Sequence, residues 1–171
     1  HLRTRRQRQM CIRDRAYAYF RLVRNFGGVM IYTSAEDDGT NHGEDISASR
    51  PRSTASEVYD QVVADLTYAE ANLPATVALA EQGRATSGAA KGLLAKTYLY
   101  QENWAAAKTK CEEVIGSQNY SLVPNYADVF SSGQQWGSEV IWSINMVEDL
   151  DGHWGEHEGS WLSIWFGDRD M

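Results

Sequence analysis

Gly83-Arg-Ala-Thr-Ser-Gly-Ala-Ala-Lys-Gly-Leu-Leu-Ala-Lys-Thr-Tyr-Leu99 is the stretch whose reading decides the fold. Thr86 stands where a helix needs an N-cap, because its hydroxyl can accept a bond from an N–H that the first turn leaves orphaned. Ala90, Leu93, Leu94, Thr97 and Tyr98 follow at the three- and four-residue spacing of one helix face, which predicts a helix running to about Tyr100. Gln101-Glu102-Asn103 then reads as a tight turn. Asn103 can cap a second helix, Trp104 to Ile115, closed by Gly116. Helices joined this closely run antiparallel, so the stretch is a helical hairpin.

The hairpin resembles one unit of the 34-residue tetratricopeptide repeat. With Tyr98 at the repeat's tyrosine, Ala95 and Ala107 fall on its small contact positions, one on each helix. Cys111 falls where the repeat prefers an aromatic, and Lys91 where it prefers Trp. Small residues at facing positions let two helices approach closely. A single hairpin cannot bury both faces, so the preceding helices are expected to stack on it. In that setting Cys111 is read as a small buried apolar residue. Gly83 and Gly88 have P-loop spacing, but Ala89-Ala90 replace the required Lys-Ser/Thr. They are read instead as a loop turn and a close packing contact.

Toward the N-terminus, Thr54-Ala-Ser-Glu57 has the form of a capping box. Val58, Val62, Leu66, Ala69 and Leu73 make one apolar stripe behind it, and Pro74 ends the helix. Arg15 to Phe26 places Tyr19, Leu22, Val23 and Phe26 on one helix face, with Gly27-Gly28 as its stop. Glu36 to Arg52 is a polar surface loop. Toward the C-terminus, Asn119 to Tyr126 is rich in turn residues and Tyr126 to Phe130 suits one short helical turn. Val140 to Ile144 reads as a short extended segment. Gly152, Gly155, Gly159 and Gly167 make the last 20 residues irregular.

The 171 residues, 43% of them apolar, suit one domain with a real core. No apolar run reaches the roughly 18 residues a membrane helix needs. Two cysteines exclude a disulfide-rich scaffold. The formal charge of −7 is a composite. Residues 1–15 hold six arginines and one acid, a net of +5, and the other 156 hold 10 basic and 22 acidic groups, a net of −12. An acidic body repels the phosphates of nucleic acid. The first fifteen residues suit a basic nucleic-acid arm or a solvated arginine-rich tail by their chemistry. They also resemble translated sequencing-adapter read-through. On that resemblance residues 1–14 are expected to be a non-native leader, with Arg15 at the boundary.

Four stretches stand in register: Arg15 to Val29; Ser56-Glu-Val-Tyr59 with Asp65-Leu66 and Asn72-Leu-Pro74; Gly83 to Leu99 with Trp104; and Val114-Ile115, Tyr120-Ser-Leu122, Tyr126-Ala-Asp-Val-Phe130 and Ser138-Glu-Val-Ile141. Together they resemble the RagB/SusD family of nutrient-binding outer-membrane lipoproteins. The resemblance implies an all-α, tetratricopeptide-like superhelix over residues 15–145. Residues 146–171 are then an irregular Gly/Trp-rich segment of the same, truncated domain. Family members are longer, begin with a lipoprotein signal ending in a lipidated cysteine, and continue past the helical core. Cys111, mid-helix, is not that cysteine. The implied role is non-enzymatic, with no cofactor: holding an oligosaccharide or other nutrient at the cell surface for a SusC-like TonB-dependent transporter. The helical faces are expected to need the rest of the protein, so this chain alone is expected to be marginally stable.

Five of the six tryptophans lie after residue 135. Trp136 and Trp142 are expected to pack against the helical core. Trp154, Trp161 and Trp165 sit in Gly-rich, polar surroundings and are the candidate ligand-binding residues, since an exposed indole face suits the C–H face of a sugar ring. His153 and His157 have zinc-ligand spacing on a helix, but the flanking glycines argue against one and no third ligand is evident. Asp149, Asp151, Gly152 and Glu158 fit positions 3, 5, 6 and 12 of a calcium loop, yet Val147 at position 1 cannot ligate. No metal and no catalytic residue is assigned. The rival readings are a helical-repeat scaffold that binds proteins or peptides and, more remotely, a metallohydrolase using His153 and His157.

Overall fold

The computed structural model describes residues 2–33, 51–78, 81, 83–131 and 136–143, with side chains from residue 11 onward. It is all helical over those residues: α1 (Leu2–Phe26), α2 (Ala55–Asn72), α3 (Ser87–Tyr100) and α4 (Trp104–Gly116), followed by a 3-10 turn at Tyr126–Phe130. Each helix packs on the next, and α1 also reaches α3. Helix α1 is continuous across residues 14 and 15.

The caps form where local chemistry asks for them. The Thr54 hydroxyl accepts from the Glu57 N–H, and the Thr54 N–H donates to the Glu57 carboxylate at 2.7 Å. That backbone bond holds the Glu57 carboxyl below its ordinary pKa. Thr86 accepts from the Ala89 N–H, and Asn103 from the Ala106 N–H. Gly27 ends α1 at φ +70°. The hairpin turn closes with the Asn103 N–H donating to the Tyr98 carbonyl, and Glu102 takes the left-handed conformation at φ 58°. After α4 the left-handed residue is Gln118 at φ 56°; Gly116 remains helical, so the stop expected there comes two residues later.

The main core joins Ala16, Tyr19, Phe20 and Val23 of α1 to Val58, Val62 and Leu66 of α2 and Leu94 of α3. Fully burying a side chain such as Phe20, Leu66 or Leu94 contributes about 1.5–3 kcal/mol. The α2 stripe is buried as expected. On α1 the buried face is turned one step from the expected one: Phe20 and Ala16 are inside, while Leu22 and Phe26 are exposed. Ala16, Tyr19, Phe20 and Val23 form the tighter three/four-spaced set, and the Phe20 ring meets Tyr100 edge-on at 5.4 Å. Tyr19 also pins the chain that follows α1, accepting from the Tyr32 N–H at 2.6 Å.

Ala95 and Ala107, the small residues of the repeat comparison, are both buried, one on α3 and one on α4. Cys111 is exposed, contrary to expectation. Helix α4 buries only Ala107 and Val114, and the neighbouring Lys110 is half-buried in an ion pair with Glu70. Lys91, where the repeat prefers Trp, instead joins a charge network across three helices. Its ammonium lies 2.9 Å from Glu113 of α4 and 3.8 Å from Glu70 of α2. Lys110 lies 2.9 Å from Glu70 and 3.0 Å from Glu113. Hydrogen bonds from Lys91 and then Lys110 pull the Glu113 carboxyl down to about 2.

Candidate functional site

The chain leaving α2, the turn entering α3 and the segments after α4 enclose a cleft of about 220 Å³. Its apolar walls combine Tyr120, Trp136 and Trp142 with Val77, Val140 and Ile141, and its polar groups come from Thr76, Arg84, Thr86, Asn119 and Ser138.

Two glycines shape it. Gly83, at φ +94°, lets the Trp136 indole lie 3.1 Å from where a β-carbon would stand. Gly88 lets the Tyr120 ring settle on the first turn of α3. The Tyr120 hydroxyl then lies 3.0 Å from the Thr86 hydroxyl, the same group that caps α3. The cleft is therefore built on the helix cap itself. Both glycines were read from sequence as a turn and a close contact; the partners, Trp136 and Tyr120, lie far along the chain and carried no local signal.

The far wall is clamped in place. The Ser121 N–H donates to the Ser138 carbonyl at 3.0 Å, and the Ser138 hydroxyl donates to the Ser121 carbonyl at 3.0 Å. The Val123 N–H donates to the Glu139 carboxylate at 3.2 Å, and the Val140 N–H closes a turn onto Gly137. Over Val140 to Ser143, the described part of the segment expected to be extended, no strand forms.

Trp142 packs against the helices as expected: its ring meets Tyr17 at 5.3 Å, edge-on, and the Arg13 guanidinium lies 4.1 Å above it. Trp136 is half-buried and rests on the turn before α3, away from the main core. Sequence reasoning thus assigned both to packing and missed that they border one cleft. Trp154, Trp161 and Trp165, with His42, His153, His157 and the acidic residues of the calcium reading, lie outside the described residues. Among the described residues no cluster of three or more His, Cys, Asp or Glu could hold a metal, and no helix is long and apolar enough to cross a membrane.

Residues 3–99 match the SusD-like family described as "Starch-binding associating with outer membrane". A SusD-like protein of Formosa agariphila is 35% identical over 117 residues, covering 66% of this chain and 22% of that protein. A laminarin-binding SusD-like protein of known structure superposes with a TM-score of 0.76 at 28% identity, over 88% of this chain and 32% of the other. A crystal structure with xylogluco-oligosaccharide superposes with a TM-score of 0.66 at 28% identity, over 78% of this chain and 27% of the other. The chain thus spans roughly a quarter of the length of the proteins it resembles. With the stacked helical hairpins and a match running through α3, the chain belongs to the SusD-like family of starch-binding proteins associated with the outer membrane.

Proposed function

We propose that this protein captures glycans at the cell surface, as an outer-membrane lipoprotein, and delivers them to a SusC-like TonB-dependent transporter without chemistry of its own. The observation that carries the reading is the cleft of tryptophan and tyrosine rings with hydroxyl, amide and Arg84 guanidinium groups, in a chain of a SusD-like family. Indole and phenol faces suit the C–H faces of sugars, and hydroxyl and amide groups suit their edges. Among the described residues that line the cleft there is no carboxylate, imidazole or thiol. The relatives that bind laminarin or were solved with a xylogluco-oligosaccharide support the same ligand class.

Trp154, Trp161 and Trp165 are proposed to extend the ligand face. Calorimetric titration of the full-length protein with laminari- and xylogluco-oligosaccharides tests the reading, with replacement of all three tryptophans by Ala expected to weaken binding at least tenfold. Full affinity in that triple variant removes the three from the site. Peptide binding with no glycan binding by the unaltered protein would favour the helical-repeat scaffold instead. Recovery of a TonB-dependent transporter with the affinity-tagged protein tests the partner.

A further inference from the structure

We propose that the open side of α4, marked by Trp104, Cys111 and Ile115, is the docking face for a further helix of the same polypeptide. Cys111 and Ile115 follow Trp104 by seven and eleven positions. At 3.6 residues per turn that spacing keeps all three within roughly 20° of one line, about 16 Å long. Trp104 is 61% exposed and Ile115 75%, and the Cys111 thiol is free and open to solvent. The line is not the buried side of the helix: Ala107 and Val114 lie roughly 60–100° round the axis.

A helix that ends a stack of hairpins needs a polar outer side to stay in water. Helix α4 carries instead an apolar line, edged by the exposed Lys108–Glu112 ion pair at 3.6 Å. An apolar centre with a charged rim is the anatomy of an interface. Chain order says where the occupant comes from. Helices α1, α2 and α3 each pack on the next, and among the described residues that series stops at α4. The described segment after α4 goes to the cleft, where Tyr120 meets Thr86 and Ser121 pairs with Ser138, and leaves the line uncovered. The stretch aligned with each relative is roughly a quarter of that protein, so most of a family member's chain lies beyond it. Size favours a tethered occupant over a free one. The line times a helix width of about 10 Å is on the order of 160 Å², against about 800 Å² on each side of a stable complex. A segment of the same chain arrives at high effective concentration and needs far less area. It presents apolar side chains at three- and four-residue spacing. Docking covers Cys111, which then becomes the small buried residue its place in the repeat implies.

The test is alkylation of Cys111 with iodoacetamide in the purified full-length protein, native and in urea, read at the Cys111 peptide by mass spectrometry. Cys111 is expected to react at least tenfold more slowly in the native protein. Ile115→Lys should restore fast labelling and lower the urea midpoint, whereas a lysine on an open surface changes neither. Ile115→Ala, a milder change, should speed labelling severalfold even where the lysine variant does not fold. Crosslinking from a photoreactive group on Lys108 should capture a segment of the same molecule with apolar residues at helical spacing. Native labelling as fast as in urea overturns the proposal, and so do labelling rates unchanged in both variants. Protection that rises with protein concentration assigns the face to a second copy, and protection seen only with an added TonB-dependent transporter assigns it to that partner. Either result overturns the proposal.

Discussion

Tyr120 crowds Gly88 so closely that two of its ring carbons lie 2.7 and 2.8 Å from the point where a β-carbon would stand. On an exposed helix Gly→Ala stabilises by up to about 1 kcal/mol. Here the added methyl meets a ring held by the Thr86 hydroxyl. Gly88→Ala is therefore expected to destabilise by about 1–3 kcal/mol, the range for overpacking a well-filled contact. A lower urea midpoint at an unchanged slope would show it; a raised midpoint would refute the crowding.

Glu102 makes the opposite case. It holds φ 58° at the turn between α3 and α4. An L-residue other than Gly pays roughly 1 kcal/mol for that conformation. Glu102→Gly is expected to stabilise by up to about 0.5 kcal/mol, after allowing for glycine's greater freedom in the unfolded chain. Thermal unfolding of the pair checks the sign.

Arg15 grips Asp65 with two hydrogen bonds of 2.7 and 2.6 Å, and Asp65 is only 5% exposed. Gln61 donates to the same carboxylate at 2.8 Å. Removing one partner of a buried pair costs about 3–5 kcal/mol. Arg15 is partly open to water, so Asp65→Ala is expected near the low end, about 3 kcal/mol, as measured by urea unfolding. A loss under 1 kcal/mol would mean the bridge does not hold α1 to α2.

Glu113 carries a pH signature. Its carboxyl is depressed from its ordinary 4.5 to about 2 by the hydrogen bonds from Lys91 and Lys110. A depressed acid stabilises the folded state above its unfolded pKa, and that contribution fades as pH falls from about 4.5 toward about 2. The difference in melting temperature between the unaltered chain and Glu113→Gln should therefore be full at pH 6 and shrink through that window. Added salt should reduce it too, because the network is partly exposed. A difference that stays constant with pH would detach the network from stability.

Helix positions, caps and the stripe on α2 were legible because their causes are local. An N-cap hydroxyl acts on an N–H three residues away, and an apolar stripe repeats within each turn. The family resemblance was legible for the same reason, since it rests on short motifs read in order. The errors came where burial depended on a neighbour. The inner face of α1 depends on what α2 and Tyr100 present to it, and the exposure of Cys111 depends on which face of α4 turns toward α3. The cleft lies wholly in this second class. Thr86 and Tyr120 are 34 residues apart, and nothing local to either announces that their hydroxyls meet. Trp136 looked like core by composition, and the turn at Gly83 is what it rests on. Local hydrogen bonding and periodicity are short-ranged and so are written in consecutive residues. Which face is covered, which glycine receives a ring and where a cavity remains depend on contacts across the chain, and these exist only once the helices have stacked.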